Sequence, residues 1–272
     1  MSEFTSEFRT VLVTGVDERL GYATARRLAS DGTQVLCHAQ TKAAADEAID
    51  WLVLDGVPAD LLSPVHANFR CLAEVEELGR ELTLRPRLDA LINAASSPAT
   101  HRKSHTNDGY ELTFQVNYLA PQRLTTALAE KLAASHGRVV NVTSRLHRAG
   151  TVEYSDLDRT RGIYTPLAVY AQSKLAFTMF GRSLAETGPA ELTVVNVDPA
   201  DFEIDMPESR SHAEAPLDGP AALLSVLSAP ATPVVNGGYY EGPEQAKPAA
   251  LVRNSRARVR LAVWTNQLAS AA

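Results

Sequence analysis

The feature that most constrains this chain is a regular alternation of short runs rich in Val, Leu and Ile with longer segments rich in Ala, Leu, Arg and Glu. The short runs have the length and composition of buried strands, and the longer segments carry helical spacing. Strands are predicted over residues 9–14, 34–38, 65–69, 88–93, 138–143 and 192–197, with helices over 20–30, 42–54, 72–84, 109–134 and 169–186. Parallel strands need crossovers, so this order predicts an α/β fold. The expected form is a doubly wound parallel sheet of about seven strands with helices on both faces. In such a sheet ligands bind at the carboxyl ends of the strands. The pattern falters between Pro199 and Pro248. Residues 200–220 are expected to form a flexible flap, 221–228 a short helix, and 238–240 a last strand. Residues 1–272 are read as one domain without an internal repeat.

Composition supports this and removes several alternatives. The 272 residues are 45% hydrophobic and 21% charged, enough apolar material for a sizeable core and too little charge for a disordered chain. Cys37 and Cys71 form neither a disulfide framework nor a CxxC metal pair, and no metal site is predicted. The start, Met1 to Thr10, lacks the basic and apolar stretches of a signal peptide, and no apolar run reaches the length of a membrane span. A cytoplasmic protein is therefore expected. The formal net charge of -6 argues against a nucleic-acid partner.

Two groups of residues carry chemistry. The first is the turn from the first strand to the first helix, Thr14-Gly15-Val16-Asp17-Glu18-Arg19-Leu20-Gly21. A dinucleotide pyrophosphate would rest there on a helix N-terminus, and glycine lets the backbone turn tightly and approach the phosphates. Alone, such a turn is also a common structural device. The second is Tyr170-Ala171-Gln172-Ser173-Lys174 at the start of a predicted helix. Tyr170 and Lys174 lie one turn apart on one face. A nearby ammonium favours the phenolate, so the tyrosine can serve as a general acid/base. Ser144, at the end of the 138–143 strand, can donate its hydroxyl to a carbonyl oxygen. A lone Tyr-x-x-x-Lys is ordinarily a solvated helix face. Here the pair is joined in order and spacing by the glycine turn, by Asn93-Ala94-Ala95 at a strand end, by helical Asn117 and by Ser144.

With these residues in register the chain resembles the short-chain dehydrogenase/reductase family over nearly its whole length, and within it the branch containing retinol dehydrogenases. The segments that carry the resemblance are RVVNVTSRLH (138–147), SDLD (155–158), YTPLAVYAQSKLA (164–176) and RLAVWTNQL (260–268). The resemblance implies a Rossmann-type fold and a nicotinamide-dependent carbonyl/alcohol oxidoreductase. It makes Tyr170 the proton donor or acceptor and Ser144 the group that polarises the carbonyl. Lys174 would bind the nicotinamide ribose and lower the pKa of Tyr170, and Asn117 would hold a water in a proton relay. Cofactor contacts are implied at Gly15, Asp17, Glu18, Arg19, Leu20, Gln40, Asn68, Asn93, Ala94, Ala95, Tyr170, Lys174, Pro199 and Ile204. A homodimer or homotetramer is implied, through the long helices beginning near Gly109 and Val169.

The cofactor positions depart from the family pattern where the catalytic ones do not. Arg19 replaces the middle glycine of the turn, Ser96 the glycine after Asn93-Ala94-Ala95, and Ala200 the glycine after Pro199. Asn68 stands for an aspartate and Ile204 for a threonine. No acid that would bond an NAD ribose follows the second strand, where Gln40 stands, and with Arg19 and Lys42 this favours NADP(H) over NAD(H). The expected reaction is hydride transfer between NADP(H) and a small-molecule carbonyl or alcohol. Phe202, Ile204, Met206 and Leu217 make the substrate partly apolar, while Asp201, Glu203 and Asp205 are expected to stand exposed. Two other readings stay open: non-redox acid/base chemistry through Tyr170, such as dehydration, elimination or cyclisation, and a catalytically silent binding protein.

The remaining candidates are given no catalytic role. Arg145 and His147 either border the substrate pocket or form a surface loop. His101, Lys103, His105 and Asp108 read as a solvated loop. Arg253, Arg256, Arg258 and Arg260 read as helix-end compensation or a solvated face.

Overall fold

The fold was obtained as a computed structural model, which describes residues 8–154, 156, 164–199, 220–227 and 234–271. Eight strands form one sheet in the order β3-β2-β1-β4-β5-β6-β7-β8. They are β1 (Thr10–Thr14), β2 (Gln34–Ala39), β3 (Leu62–His66), β4 (Ala90–Asn93), β5 (Arg138–Val142), β6 (Thr193–Asp198), β7 (Tyr239–Glu241) and β8 (Glu244–Ala246). Every neighbouring pair is parallel except β7 with β8, which the two-residue loop after Glu241 makes antiparallel. The predicted architecture is thus present, with that edge strand added. The order reverses between β1 and β4, which places the switch point at the ends of those two strands.

Side chains alternate between two cores. Leu12, Leu36, Leu91 and Val139 face the layer of α3 (Leu72–Thr83), α5 (Ala120–Ala133) and α6 (Pro166–Thr187). Val11, Val13, Ile92 and Val140 face α1 (Arg19–Ser30), α2 (Lys42–Leu54) and α7 (Ala221–Leu227). Strands buried on both faces read as continuous apolar runs, which is why the sequence pattern found them.

Several boundaries moved for identifiable reasons. β3 lies three residues before the predicted 65–69, with Pro64 in its middle, a residue tolerated on an edge strand. The predicted 109–134 helix begins as α4 (Leu112–Phe114), continues through a π turn (Gln115–Leu119) and becomes α5. α6 begins at Pro166 rather than residue 169, with the proline at its first position, where a missing N–H costs nothing. Residues 250–271, for which no helix was predicted, form α8 (Ala250–Arg253) and α9 (Ser255–Ala271). α9 packs on α6 and on the π turn. Tyr118 Oη and Thr265 Oγ1 lie 2.6 Å apart, and Tyr110 donates to the Leu268 carbonyl at 2.5 Å. The solvated-face reading of the arginine run fails at Arg258, which is 5% exposed and paired with Glu186 of α6, and Arg260 lies over the Tyr154 ring.

One polar row inside the fold sets the depth of α6. Asn93 donates to Asn141 at 2.9 Å, and Asn141 donates to Asn196 at 3.3 Å, a ladder across β4, β5 and β6. Gly181 of α6 sits on this ladder, where a Cβ would stand 2.3 Å from Asn196 Oδ1. The missing side chain lets α6 approach the sheet two turns beyond Lys174.

Candidate active site

The β1–α1 turn is built by close backbone contacts. Thr14 Oγ1 accepts from the amides of Ala94 and Ala95 at 3.0 and 3.1 Å, locking the ends of β1 and β4 together. Gly15 has φ +73°, and a Cβ there would stand 2.7 Å from Ala95 Cα. A Cβ on Gly21 would stand 2.0 Å from the Gly15 carbonyl oxygen, so α1 rests directly on the turn. Asp17 and Glu18 complete the turn, and Arg19 and Leu20 open α1. No side chain caps this helix and its first turn holds no acid, so the positive end of its dipole meets the turn. This backbone fits the pyrophosphate of a dinucleotide, and Arg19 is accommodated because it is only half-buried.

The other expected cofactor positions divide. Gln40 is exposed just past β2, while Lys42 bonds Asp46 one turn along α2 at 2.5 Å. Asn68 uses its side-chain oxygen to accept from the Arg70 amide at 3.0 Å. Ala94, Ala95 and Pro199 lie at strand ends on the carboxyl edge. The side chain of Asn93 is turned into the asparagine ladder and to Thr125, so this residue lines the interior rather than the cleft. Ile204 and the whole of 200–219, with Ala200, the acids at 201, 203 and 205, and the apolar residues of the expected flap, lie outside the described residues.

Asn117, Ser144, Tyr170 and Lys174 converge at the carboxyl end of β5. Ser144 follows β5 and is half-buried. Tyr170 is 6% exposed, Lys174 2% and Asn117 1%. The hydroxyls of Ser144 and Ser96 lie near enough to Tyr170 to favour its ionised form, and Ser96 Oγ donates to Asn117 Oδ1 at 3.4 Å. Asn117 sits in the π turn, where it accepts from the Ser97 amide at 2.7 Å and donates to Ser173 Oγ at 3.2 Å. Lys174 Nζ donates to the Val142 carbonyl at 3.3 Å and lies 5.6 Å from the Tyr170 ring centre. Burial pulls this lysine down to about 8, against the pull of Glu18 and Asp198. Tyr170 is held above the ordinary tyrosine range, because burial, with Asp198 and Glu18, outweighs the influence of the Ser96 and Ser144 hydroxyls. The lowering expected from Lys174 does not prevail here, since that cation is buried and engaged elsewhere.

Two acids and two histidines shape the site beyond what the sequence indicated. Glu18, read only as a cofactor contact, turns its carboxylate inward and accepts from the Ser96 amide at 3.2 and 3.3 Å. Burial pushes it up to about 8, Asp17 adds to this, and the Ser96 amide and Lys174 oppose it. Asp198, which the sequence reading missed, ends β6 and is 5% exposed. It accepts from the Arg145 amide at 2.8 Å and so fixes the segment beside Ser144. An acid closing an otherwise apolar buried strand was the available signal. His147 is fully buried and structural: Nδ1 donates to the Ser144 carbonyl at 2.7 Å, and Nε2 accepts from the Ala249 amide at 3.1 Å. His38, also unforeseen, lies beneath Gly15, whose amide it meets at 3.4 Å, with Nε2 donating to the Ala67 carbonyl at 3.1 Å. Burial pulls His38 down to about 4. Asp108, placed in a solvated loop by the sequence, instead accepts from the Leu72 amide at the start of α3.

Comparison with known proteins agrees with this arrangement. A family model described as short chain dehydrogenase matches residues 9–215. Polyprenol dehydrogenase of Mus musculus is 30% identical over 282 residues, covering 96% of this chain and 83% of that protein. Retinol dehydrogenase 13 of Mus musculus is 33% identical over 192 residues, which cover 68% of this chain and 55% of the relative. A crystal structure of an uncharacterized protein from Mycobacterium paratuberculosis superposes with TM-score 0.79 at 24% identity, over 97% of this chain and 95% of that one.

Proposed function

The chain belongs to the short-chain dehydrogenase family and is a nicotinamide-dependent oxidoreductase; from that premise we propose that it uses NADP(H) to interconvert a partly apolar carbonyl compound and its alcohol. The observation that carries the reading is the convergence of Ser144, Tyr170 and Lys174 at one strand end, with Lys174 5.6 Å from the Tyr170 ring centre and bonded to the β5 end. A carbonyl/alcohol substrate is supported by the relatives, whose names include a polyprenol and a retinol dehydrogenase.

When bound, the nicotinamide supplies or accepts the hydride. The chain's own residues do the rest. Ser144 and Tyr170 direct hydroxyls at a single substrate oxygen, and Tyr170 delivers its phenolic proton to that oxygen in reduction or removes it in oxidation. Asp198 holds the Arg145 amide and thereby the approach of Ser144. Lys174, under the pull of Glu18 and Asp198, donates to the Val142 carbonyl and stands over the Tyr170 ring, where it would hold the nicotinamide ribose. Gly15, Gly21 and the uncapped start of α1 hold the phosphates, with Arg19 adding a cation. Preference for NADP(H) rests on the absence of an acid at Gln40 together with Arg19.

The deciding experiment follows oxidation of NADPH at 340 nm with a panel of aliphatic and aromatic ketones, for the wild type and Tyr170→Phe. Turnover that falls 100-fold or more in Tyr170→Phe, with dinucleotide affinity kept within threefold, supports the reading. Turnover that survives the substitution defeats it. Among the described residues no helix is long and apolar enough to cross a membrane. The dimer or tetramer implied by the resemblance would need a surface other than the part of α6 that α9 covers, and sedimentation velocity measures the assembled mass.

A further inference from the structure

Glu18 is an acid where an anionic cofactor has to settle. It stands at the N-cap of α1 yet leaves the first-turn amides alone, and reaches across the cleft to the Ser96 amide with both carboxylate oxygens, at 3.2 and 3.3 Å. Its charge is felt by Lys174 and Tyr170 on α6, and Asp17 of its own turn faces it as a like charge. An amide donor, a helix N-terminus and a buried ammonium therefore converge on this point of the β1 and β4 ends, and each favours an anion. The group they receive is the chain's own carboxyl, which burial and Asp17 keep protonated until the pH nears 8.

Resting on the dinucleotide reading above, we propose that Glu18 is an affinity-setting residue: its side chain takes the Ser96 amide that a dinucleotide would otherwise meet and, once ionised, sets a negative charge in the dinucleotide's place, and the cofactor binds only by displacing it. Two of the positions where glycine gives way in the family pattern, Arg19 and Ser96, then acquire a shared sense. With a side chain in place of glycine, Ser96 still offers its amide to Glu18, and its hydroxyl donates to Asn117 of the π turn. Arg19 supplies a cation beside the acid. The closed arrangement ties α1, the β4 end and α6 together through side chains.

The test is calorimetric binding of NADPH, NADH and ADP-ribose to the full chain as wild type, Glu18→Gln and Glu18→Ser, with Glu47→Gln on α2 as the control for bulk charge. Glutamine keeps the shape and can still accept from the Ser96 amide, so circular dichroism and melting curves report whether each variant remains folded. At pH 9, where Glu18 is ionised, Glu18→Gln and Glu18→Ser are expected to bind ADP-ribose and NADPH at least tenfold more tightly than wild type, and Glu47→Gln no differently. ADP-ribose carries no nicotinamide, so its gain in affinity is independent of turnover. Wild type that binds while the Glu18 variants bind no better, or worse, overturns this inference and leaves the dinucleotide reading standing. Absence of binding by every variant at millimolar ligand overturns both.

Discussion

Replacing Gly21 with alanine probes the contact that brings α1 onto the turn. The added Cβ would lie 2.0 Å from the Gly15 carbonyl oxygen and 2.5 Å from its carbonyl carbon, both backbone atoms in a turn locked by Thr14. Ordinary contact begins near 3.4 Å, so the helix start must retreat by more than 1 Å. No flexible side chain can yield. Overpacking of this kind costs about 3 kcal/mol, which for a chain of this size lowers Tm by roughly 6–12 °C. Gly32 is the internal control, since nothing lies within 4 Å of a Cβ there and its φ of +87° exacts only the left-handed penalty of about 1–2 kcal/mol. Urea denaturation of the wild type, Gly21→Ala and Gly32→Ala gives the stabilities, and calorimetry with ADP-ribose gives the affinity. A retreat of the helix N-terminus should cost ADP-ribose roughly 10-fold or more in affinity in Gly21→Ala and leave it unchanged in Gly32→Ala. The reasoning is refuted if Gly21→Ala unfolds within 0.5 kcal/mol of wild type, a threshold set by the usual scatter of neutral surface substitutions, and binds as the wild type does.

Three further outcomes are expected. Asp198→Asn keeps an acceptor for the Arg145 amide but removes a charge that raises both Tyr170 and Lys174, so the apparent pKa values of the pH–rate profile move down by roughly half a pH unit or more; an unmoved profile contradicts the placement of that charge. Asp89 accepts from the amides of Arg9 and Thr10 at 2.9 Å each and pairs with Arg87, so Asp89→Ala leaves the buried Thr10 donor and the part-buried Arg9 donor bare and costs about 2 kcal/mol in urea unfolding. Glu18 is raised from 4.5 to about 8 in the folded chain, which therefore binds more protons than the unfolded chain between those values. Its contribution is largest below pH 4.5 and is lost as pH rises to 8, on the order of a few kcal/mol. Melting curves should show wild type losing stability between pH 5 and 8 and Glu18→Gln losing less; parallel curves would contradict the burial of the acid.

The layered fold was legible because both faces of the sheet are covered, which forces β1, β2, β4, β5 and β6 into continuous apolar runs. β3 was misregistered because its pattern, Leu62-Ser63-Pro64-Val65-His66, is that of an edge strand with one side half open. The π turn at Gln115–Leu119 has no periodic signature strong enough to separate it from the helices on either side. At the site, residue types and spacing led to Tyr170, Lys174, Ser144 and Asn117, which are close in space because they share strand ends and one helix face. Direction of side chains was not legible. Asn93 and Glu18 were both assigned to the cofactor, yet one points into the sheet and the other across the cleft, and which way each turns depends on partners 48 and 78 residues away. Arg258 looked like one of four solvated arginines because its acid, Glu186, lies 72 residues earlier.

α9 gives the chain a late step in its assembly. Its bonds to Tyr110 and Tyr118 span 158 and 147 residues, and the elements it covers leave the ribosome long before it does. Until then the groove that Met179, Phe180 and Leu184 of α6 line lacks the wall that Leu261, Ala262 and Thr265 supply. Contacts this distant in sequence close slowly, so the nascent molecule carries an open apolar seam after its sheet is complete. A chain halted before Ser255 would keep that seam for good, and its fate would turn on aggregation rather than on catalysis.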